Sequence, residues 1–390
     1  MEKGRATIKD VARIAGVSTA TVSHVMNQTR YVSEAVQERV MAAMRETNYT
    51  SNYIAKALRS SKSHTIGVVI PDISNPFYSN IVHHMERKLH DAGYMMILCD
   101  SRESVKQEEE MIQRLCGFQV DGIVLTPISP QVDYAQWAKR LGRPMVFMDR
   151  YPNSEQYNGV FCTVRKVICQ AVEQMILSGH DCIALINRDT IGLYSIVRER
   201  EEGYRDALMK HGITPDPRYI FEIPATSERG YVQMADILRE LPEVNGVFCA
   251  NRHISLGALQ CLIDSGRRIP VDMSIVGFAT YNWYNVTTPR LSSVLEPLKE
   301  MGEAVGQLML EVLEDPDREP RRIVLEAQLV GNASIGRAKQ GKSGKDRGIN
   351  AISIPRKRDG FFPDANLAPG ARFFRLNKKG GENGALQIGG

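Results

Sequence analysis

Apolar positions recur with a helical period at the start of this chain and in continuous runs further on. Ile8, Val11, Ala12 and Ala15 fall at i, i+3, i+4 and i+7, one stripe of a first helix that starts at Thr7, with Asp10 three residues on as in a capping box. Gly16-Val17 predicts a tight turn, and Ser18 caps a second helix that buries Thr21, Val22, Val25 and Met26. Thr19, Ala20, Ser23, His24 and Asn27 are left pointing outward. After a loop through Arg30, Ser33 caps a third helix that turns Val36, Val40 and Met44 toward the first two. The segment from Asn52 to Ser60 then puts Ile54, Ala55 and Leu58 on one face with Lys56, Arg59 and Lys62 alongside, and is too short to be stable as an isolated helix.

From Thr65 the pattern changes. Apolar runs at 65–71, 94–100, 121–127, 144–149, 182–187, 245–250 and 274–279 predict buried parallel strands. Amphipathic stretches such as 77–92, 104–116, 165–179, 196–211 and 298–313 predict the helices between them. The predicted fold class is α/β: an N-terminal all-α helix-turn-helix headpiece (1–50), a linker (51–63), and two doubly wound parallel α/β subdomains (64–340) with ligands expected at the carboxyl ends of strands. Residues 341–390 hold ten Gly and no sustained periodicity, which predicts a disordered basic tail.

Charge sharpens this division. Residues 1–62 carry ten Lys/Arg against five Asp/Glu and 341–390 ten against four, which leaves 29 against 36 for the middle of the chain. A basic amino-terminal module on an acidic body suits a nucleic-acid contact confined to one end. The seven cysteines form no C-x-x-C pair and sit mostly in apolar runs, so they read as buried free thiols rather than bridges or metal ligands. No apolar export segment opens the chain and no run reaches membrane-spanning length, so a cytoplasmic location with no membrane partner is expected. The sequence has no P-loop, nucleophile elbow, H-E-x-x-H or metal-ligand spacing, which argues against an enzyme and calls for no cofactor or metal.

Short polar side chains at the exposed start of a second helix suit a reader of the DNA major groove. The run Ile8-Lys9-Asp10-Val11-Ala12, Gly16-Val17-Ser18, Thr21-Val22-Ser23 and Asn27 resembles the headpiece of the lac-repressor/gal-repressor family, and the resemblance extends from residue 5 to about 340. It implies a transcriptional regulator, a repressor, that binds a pseudo-palindromic double-stranded DNA operator as a homodimer. Thr19, Ala20 and His24 are then expected to read bases, with Thr7, Ser18, Thr21, Ser23 and Asn27 also at the DNA. Arg30, Lys56 and Arg59 are expected mainly to position the chain on backbone or groove. By the same resemblance the segment holding Ile54, Ala55, Lys56, Leu58 and Arg59 is a hinge helix that folds on DNA and wedges Leu58 into the minor groove. Ser51 stands where the family often has Pro. The body resembles the type I periplasmic-binding-protein fold, implying three crossings between subdomains near 161–163, 291–293 and 322–325, an N-subdomain of about 64–161 plus 293–322 and a C-subdomain of about 163–291 plus 325–340.

The resemblance also implies an effector cleft lined by Asp72, Phe77, Tyr78, Arg150, Arg200, Asn251, Arg252 and Tyr281. Here four stretches depart from the family. Thr163-Val164 replaces Asp-Asn, Asn251-Arg252 replaces Asn-Asp, Gly277-Phe278-Ala279-Thr280 replaces Gly-Phe-Asp-Asp, and Gly331-Asn332-Ala333-Ser334 replaces the usual Arg-Glu-Ser stretch. Together the changes remove carboxylates near the cleft and add a cation while Arg200 stays, so a neutral polyol would lose acceptors. Two readings follow: an anionic effector (a sugar acid, a phosphorylated sugar or a related metabolite) clamped by Arg200 with Arg252 and Arg150, or a DNA-binding regulator that has lost ligand gating. Arg252 reads equally as a surface charge or part of an internal salt bridge. A solute-binding protein shares the body fold, but the headpiece and the missing export signal argue against it.

Overall fold

A computed structural model describes residues 6–27, 30–49, 62–153, 156–189, 195–279, 285–331 and 333–338. Three helices form the headpiece: α1 (Ile8–Ala15), α2 (Thr19–Asn27) and α3 (Glu34–Glu46). The backbone N–H and the hydroxyl of Thr7 both donate to Asp10 Oδ2, at 3.0 and 2.7 Å, which fixes the start of α1. Gly16 ends that helix at φ +66°, a left-handed turn that glycine adopts without Cβ strain. Val11, Ala12 and Ala15 of α1 close on Val22, Val40 and Ala43, with Val25, Met26, Val36 and Met44 partly buried around them. Ser33 differs from expectation. It stands at the start of α3, but its hydroxyl makes no cap bond; its carbonyl accepts from Val36 and Gln37 instead.

The body alternates strands and helices through β1 (Thr65–Ile70), α4 (Pro76–Asp91), β2 (Met95–Asp100), α5 (Val105–Gly117), β3 (Gly122–Leu125), α6 (Tyr134–Leu141), β4 (Met145–Met148) and β5 (Asn158–Thr163). It continues with α7 (Arg165–Leu177), β6 (Ile183–Arg188), α8 (Ser195–Lys210), β7 (Ile220–Ile223), α9 (Ser227–Glu240), β8 (Gly246–Cys249), α10 (Arg252–Asp264) and β9 (Ser274–Phe278). Last come β10 (Ser292–Leu295), α11 (Leu298–Glu314), β11 (Arg322–Glu326) and β12 (Gln328–Val330). One six-stranded sheet runs β11-β5-β4-β3-β1-β2 and the other β12-β10-β9-β8-β6-β7. Every pairing is parallel except the edge pair β10–β12. The central strands are buried along their whole length, as a sheet covered on both faces requires.

The chain leaves the first sheet directly after Thr163, at the end of the expected crossing, returns between Leu295 and Leu298, and leaves again between Glu326 and Gln328, the latter two a little beyond the expected crossings. Each strand runs to its last paired residue before the chain crosses. In the first sheet strand order reverses between β1 and β3, and in the second between β6 and β8. Ligand crevices open at the carboxyl ends of strands at such points. Three of the cysteines (Cys162, Cys249 and Cys261) are buried and the other four partly exposed, and all seven are free thiols. No described helix is long and apolar enough to cross a membrane, and the described residues form no metal-binding group.

Candidate DNA-reading helix and effector cleft

In α2 the Ser18 hydroxyl accepts from the Thr21 N–H at 3.1 Å and lies 2.9 Å from the Thr21 hydroxyl, a side-chain cap. Thr19 and Ala20 stand exposed on the first turn, and Ser23 and His24 are half-buried further along it. Thr21 is half-exposed rather than buried, because its hydroxyl serves that cap. Arg30 is exposed in the following loop. The side chain of Asn27, the residues Ile54, Ala55, Lys56, Leu58 and Arg59 of the expected hinge, and the expected tail at 341–390 lie outside the described residues.

The cleft is built from strand ends. From the first sheet come Asp72 and the amino end of α4 beyond β1, Glu103 beyond β2, and Asp149-Arg150 beyond β4. The second sheet supplies Arg188 closing β6, Asn251-Arg252 beyond β8 and Phe278 closing β9, with Arg200 on α8. Gly203 lets α8 lie against α7, since a Cβ there would meet the Arg165 carbonyl at 2.6 Å, and this close seat places Arg200 one turn earlier. Tyr281 lies outside the described residues.

Several expected ligand contacts are occupied by the protein itself. Arg150, almost wholly buried, forms a bidentate pair with Glu103 at 2.7 and 3.0 Å and donates to the Pro127 carbonyl at 3.3 Å. Burial opposes the charge on Glu103, but the Arg150 hydrogen bonds and charge outweigh it and hold the carboxyl below its usual range. The Tyr78 hydroxyl donates to Asp149 Oδ2 at 2.9 Å, and burial pushes the Asp149 carboxyl up. Asp72 accepts from the N–H and hydroxyl of Ser74 in its own turn, and Asn251 Oδ1 caps α10 through the His253 and Ile254 N–H groups. Arg252 is hydrogen-bonded to buried Glu296 and lies 4.4 Å above the Phe77 ring, an internal salt bridge.

Arg200 is different. Its side chain is buried, with 5% of the residue exposed, yet it has no hydrogen-bond or ion-pair partner among the described residues, and its Nε is orphaned. The guanidinium lies 4.7 Å from the centroid of Phe278. Burial pulls its pKa down to about 10; Glu296 opposes this and Arg252 adds to it. A buried cation without a partner is costly, so this position has the character of an anion site.

The sequence comparison missed the carboxylates that make up for those lost. Glu103, Asp149, Glu199 and Glu296 all line or flank the cleft, and each has an internal donor; Glu199 takes the Thr163 hydroxyl and the Val164 N–H at 3.2 Å each. Only Glu296 keeps a buried orphan carboxylate oxygen, Oε1. At the end of the substituted stretch Ser334 serves the fold: its Oγ accepts from the Ser292 N–H and donates to the Ile275 carbonyl, stapling β9 to β10. Deeper in the same lobe as Arg150, Tyr134 donates to fully buried Glu108 at 2.6 Å, and burial pushes that carboxyl up to about 7.

A helix-turn-helix headpiece ahead of a two-lobed α/β body with a crevice of charged side chains at its strand ends defines a DNA-binding regulator of the ligand-responsive type. The family profile described as "Bacterial regulatory proteins, lacI family" matches residues 7–52, and that of the "Periplasmic binding protein-like domain" matches 172–335. The chain is 30% identical over 337 residues to the HTH-type transcriptional repressor PurR of Photobacterium profundum, covering 85% of this chain and 98% of that protein. Among solved structures it is similar to the lac repressor dimer bound to operator and the anti-inducer ONPF, at 26% identity and a TM-score of 0.75 over 85% and 99% of the two chains. It is also similar to the transcriptional regulator CelR–cellobiose complex, at 30% identity and a TM-score of 0.64 over 85% and 100%. The chain belongs to the LacI family of DNA-binding transcriptional regulators, and it is a transcriptional repressor like PurR rather than an enzyme.

Proposed function

We propose that this repressor binds a pseudo-palindromic operator as a homodimer and is controlled by an anionic small molecule held on Arg200. The observation that carries the effector reading is the buried, unpartnered Arg200 guanidinium beside Phe278. Its planar fork suits a carboxylate or phosphate, and the Phe278 face beside it suits the apolar side of a sugar-like ring. Arg150 and Arg252, already paired, frame the site rather than clamp the ligand. At the DNA, two α2 helices enter successive major grooves, with Thr19, Ala20 and His24 toward base edges and Arg30 toward phosphate. The likeness to an operator-bound repressor dimer supports this arrangement, and a two-fold protein calls for a two-fold site. Closure of the two lobes then changes operator affinity through a coupling of roughly 1–3 kcal/mol.

Calorimetry with glucose, glucuronate and glucose 6-phosphate tests the effector, because the three differ chiefly in charge. Binding is expected for an anionic member, and Arg200→Gln should weaken it by about ten- to a hundredfold, the loss of one charge-assisted bidentate pair. Tight binding of glucose with no response to either anion overturns the reading.

A further inference from the structure

Charge on the walls of the cleft is unevenly matched. Four guanidinium groups meet there: Arg150 from the lobe of the first sheet, and Arg188, Arg200 and Arg252 from that of the second. Two carboxylates serve them. Glu103 holds Arg150 through two hydrogen bonds, and Arg188 stands 3.8 Å from the same carboxylate. Glu296 is hydrogen-bonded to Arg252 and reaches Arg200 through its charge alone. Each carboxylate is thus committed to one guanidinium and shared at a distance by another. The third acid, Asp149, is the weakest source of negative charge, because burial pushes its carboxyl up and the Tyr78 hydroxyl already donates to it at 2.9 Å. Arg188, which likeness to the family did not single out, ends β6 where the strand order of the second sheet reverses, and Arg200 lies on α8, the next helix. The Arg188 side chain is 27% exposed and makes no hydrogen bond among the described residues; its Nε is a buried orphan, as is that of Arg200. The Arg188 charge also helps to pull the Arg200 pKa down, so the two cations act on one another. Two positive charges held together out of water are costly, and a single group of opposite sign between them relieves both.

We infer that Arg188 and Arg200 form a two-cation seat, and that the effector carries two negative charges: it is a phosphate monoester or a dicarboxylate rather than a monocarboxylate. The inference rests on the reading of Arg200 given above and adds a second charge and a second residue to it. A monocarboxylate on Arg200 leaves Arg188 with no more than its distant share of Glu103. A phosphoryl group offers separate oxygens to two guanidinium forks, and a dicarboxylate offers one carboxylate to each.

Acetate, malonate and methyl phosphate carry one carboxylate, two carboxylates and one phosphoryl group with little else attached, so they test charge apart from the rest of the effector. Thermal melting of the purified full-length chain at neutral pH and equal ionic strength reads their binding as a rise in the midpoint. In the parent, malonate or methyl phosphate should bind about tenfold or more tighter than acetate. A rise with methyl phosphate alone assigns a phosphate ester, and one with malonate alone a dicarboxylate. Arg188→Gln strands no carboxylate, since Glu103 keeps Arg150, and it should abolish the preference for dianions while the response to acetate stays. If that variant does not fold, the comparison of the three anions in the parent decides. The second charge is overturned if acetate matches both dianions in the parent, or if folded Arg188→Gln keeps the parent's preference. Arg200→Gln separates the two readings: it should weaken all three anions, and if it weakens none, the assignment of Arg200 itself falls. No response of the parent to any of the three overturns both.

Discussion

In the headpiece, the residues at the exposed start of α2 are Ser18, Thr19 and Ala20, short and uncharged, above a small core of Val11, Val22 and Val40. In the cleft the working surface is made of guanidinium groups and carboxylates, most of them buried and paired: Arg150 with Glu103, Arg252 with Glu296, Asp149 with Tyr78. The headpiece has a ready surface whose chemistry is completed by a duplex. In the cleft, charges taken out of water need partners whether or not a ligand is present, because an unpaired buried charge costs far more than an exposed one. A site of buried charges thus fixes its own geometry first and recognises a ligand with whatever is left over. Here that remainder is Arg200, with the unpartnered Nε atoms of Arg188 and Arg252 and the Oε1 of Glu296.

If this contrast is right, damage to the cleft should show first as lost stability, and damage to the headpiece as lost DNA discrimination with the fold intact. The largest effect is expected for Glu296→Ala, which strands buried Arg252; thermal or denaturant unfolding should show a loss of about 3–5 kcal/mol. Next is Glu108, whose carboxyl titrates near about 7 in the folded chain against an ordinary value of 4.5. Because the folded value is the higher one, its contribution is present below pH 4.5 and is lost as pH rises through about 7, by up to about 3 kcal/mol. Unfolding measured from pH 4.5 to 8 should show that slope in the parent and a flatter one in Glu108→Gln. A flat parent profile would mean that Glu108 is ionised in the fold at little cost.

The remaining two probe the headpiece. His24→Ala should alter which base pairs are preferred, by about 1–3 kcal/mol of discrimination in competition binding to operator variants, with little change in melting. An equal loss on all sequences would make His24 a backbone contact instead. Ser18→Ala removes the cap on α2 and should cost about 1 kcal/mol, seen as modestly weaker operator binding that follows headpiece melting. Should Ser18→Ala alter base preference as strongly as His24→Ala, the distinction between a scaffold residue and a reading residue collapses.

Much of this molecule is legible locally. Thr7 with Asp10, Gly16 with Ala12, and Ser18 with Thr21 interact across four residues or fewer, so spacing alone identifies them. The long apolar runs reveal the buried strands for the same reason: a strand covered on both faces has no polar face to show. Short, partly exposed edge strands such as β7 and β12 leave no such run, and neither do the buried strands β5 and β10, interrupted by Gly159 and by Ser292-Ser293. Likeness to a family named the cleft residues without saying which were already in use.

The sequence by itself determined the two-part plan, the reading helix with its caps, and the presence of Arg200 and Arg252 where a sugar-binding relative would carry a different balance of charge. Only the tertiary structure decided which charges are spoken for. Arg150 meets Glu103 across 47 residues and Arg252 meets Glu296 across 44, and such pairings depend on where two sheets bring their strand ends, which no local spacing encodes. An ionisable side chain owes its role to the groups that replace its water, and those groups are assembled by the fold.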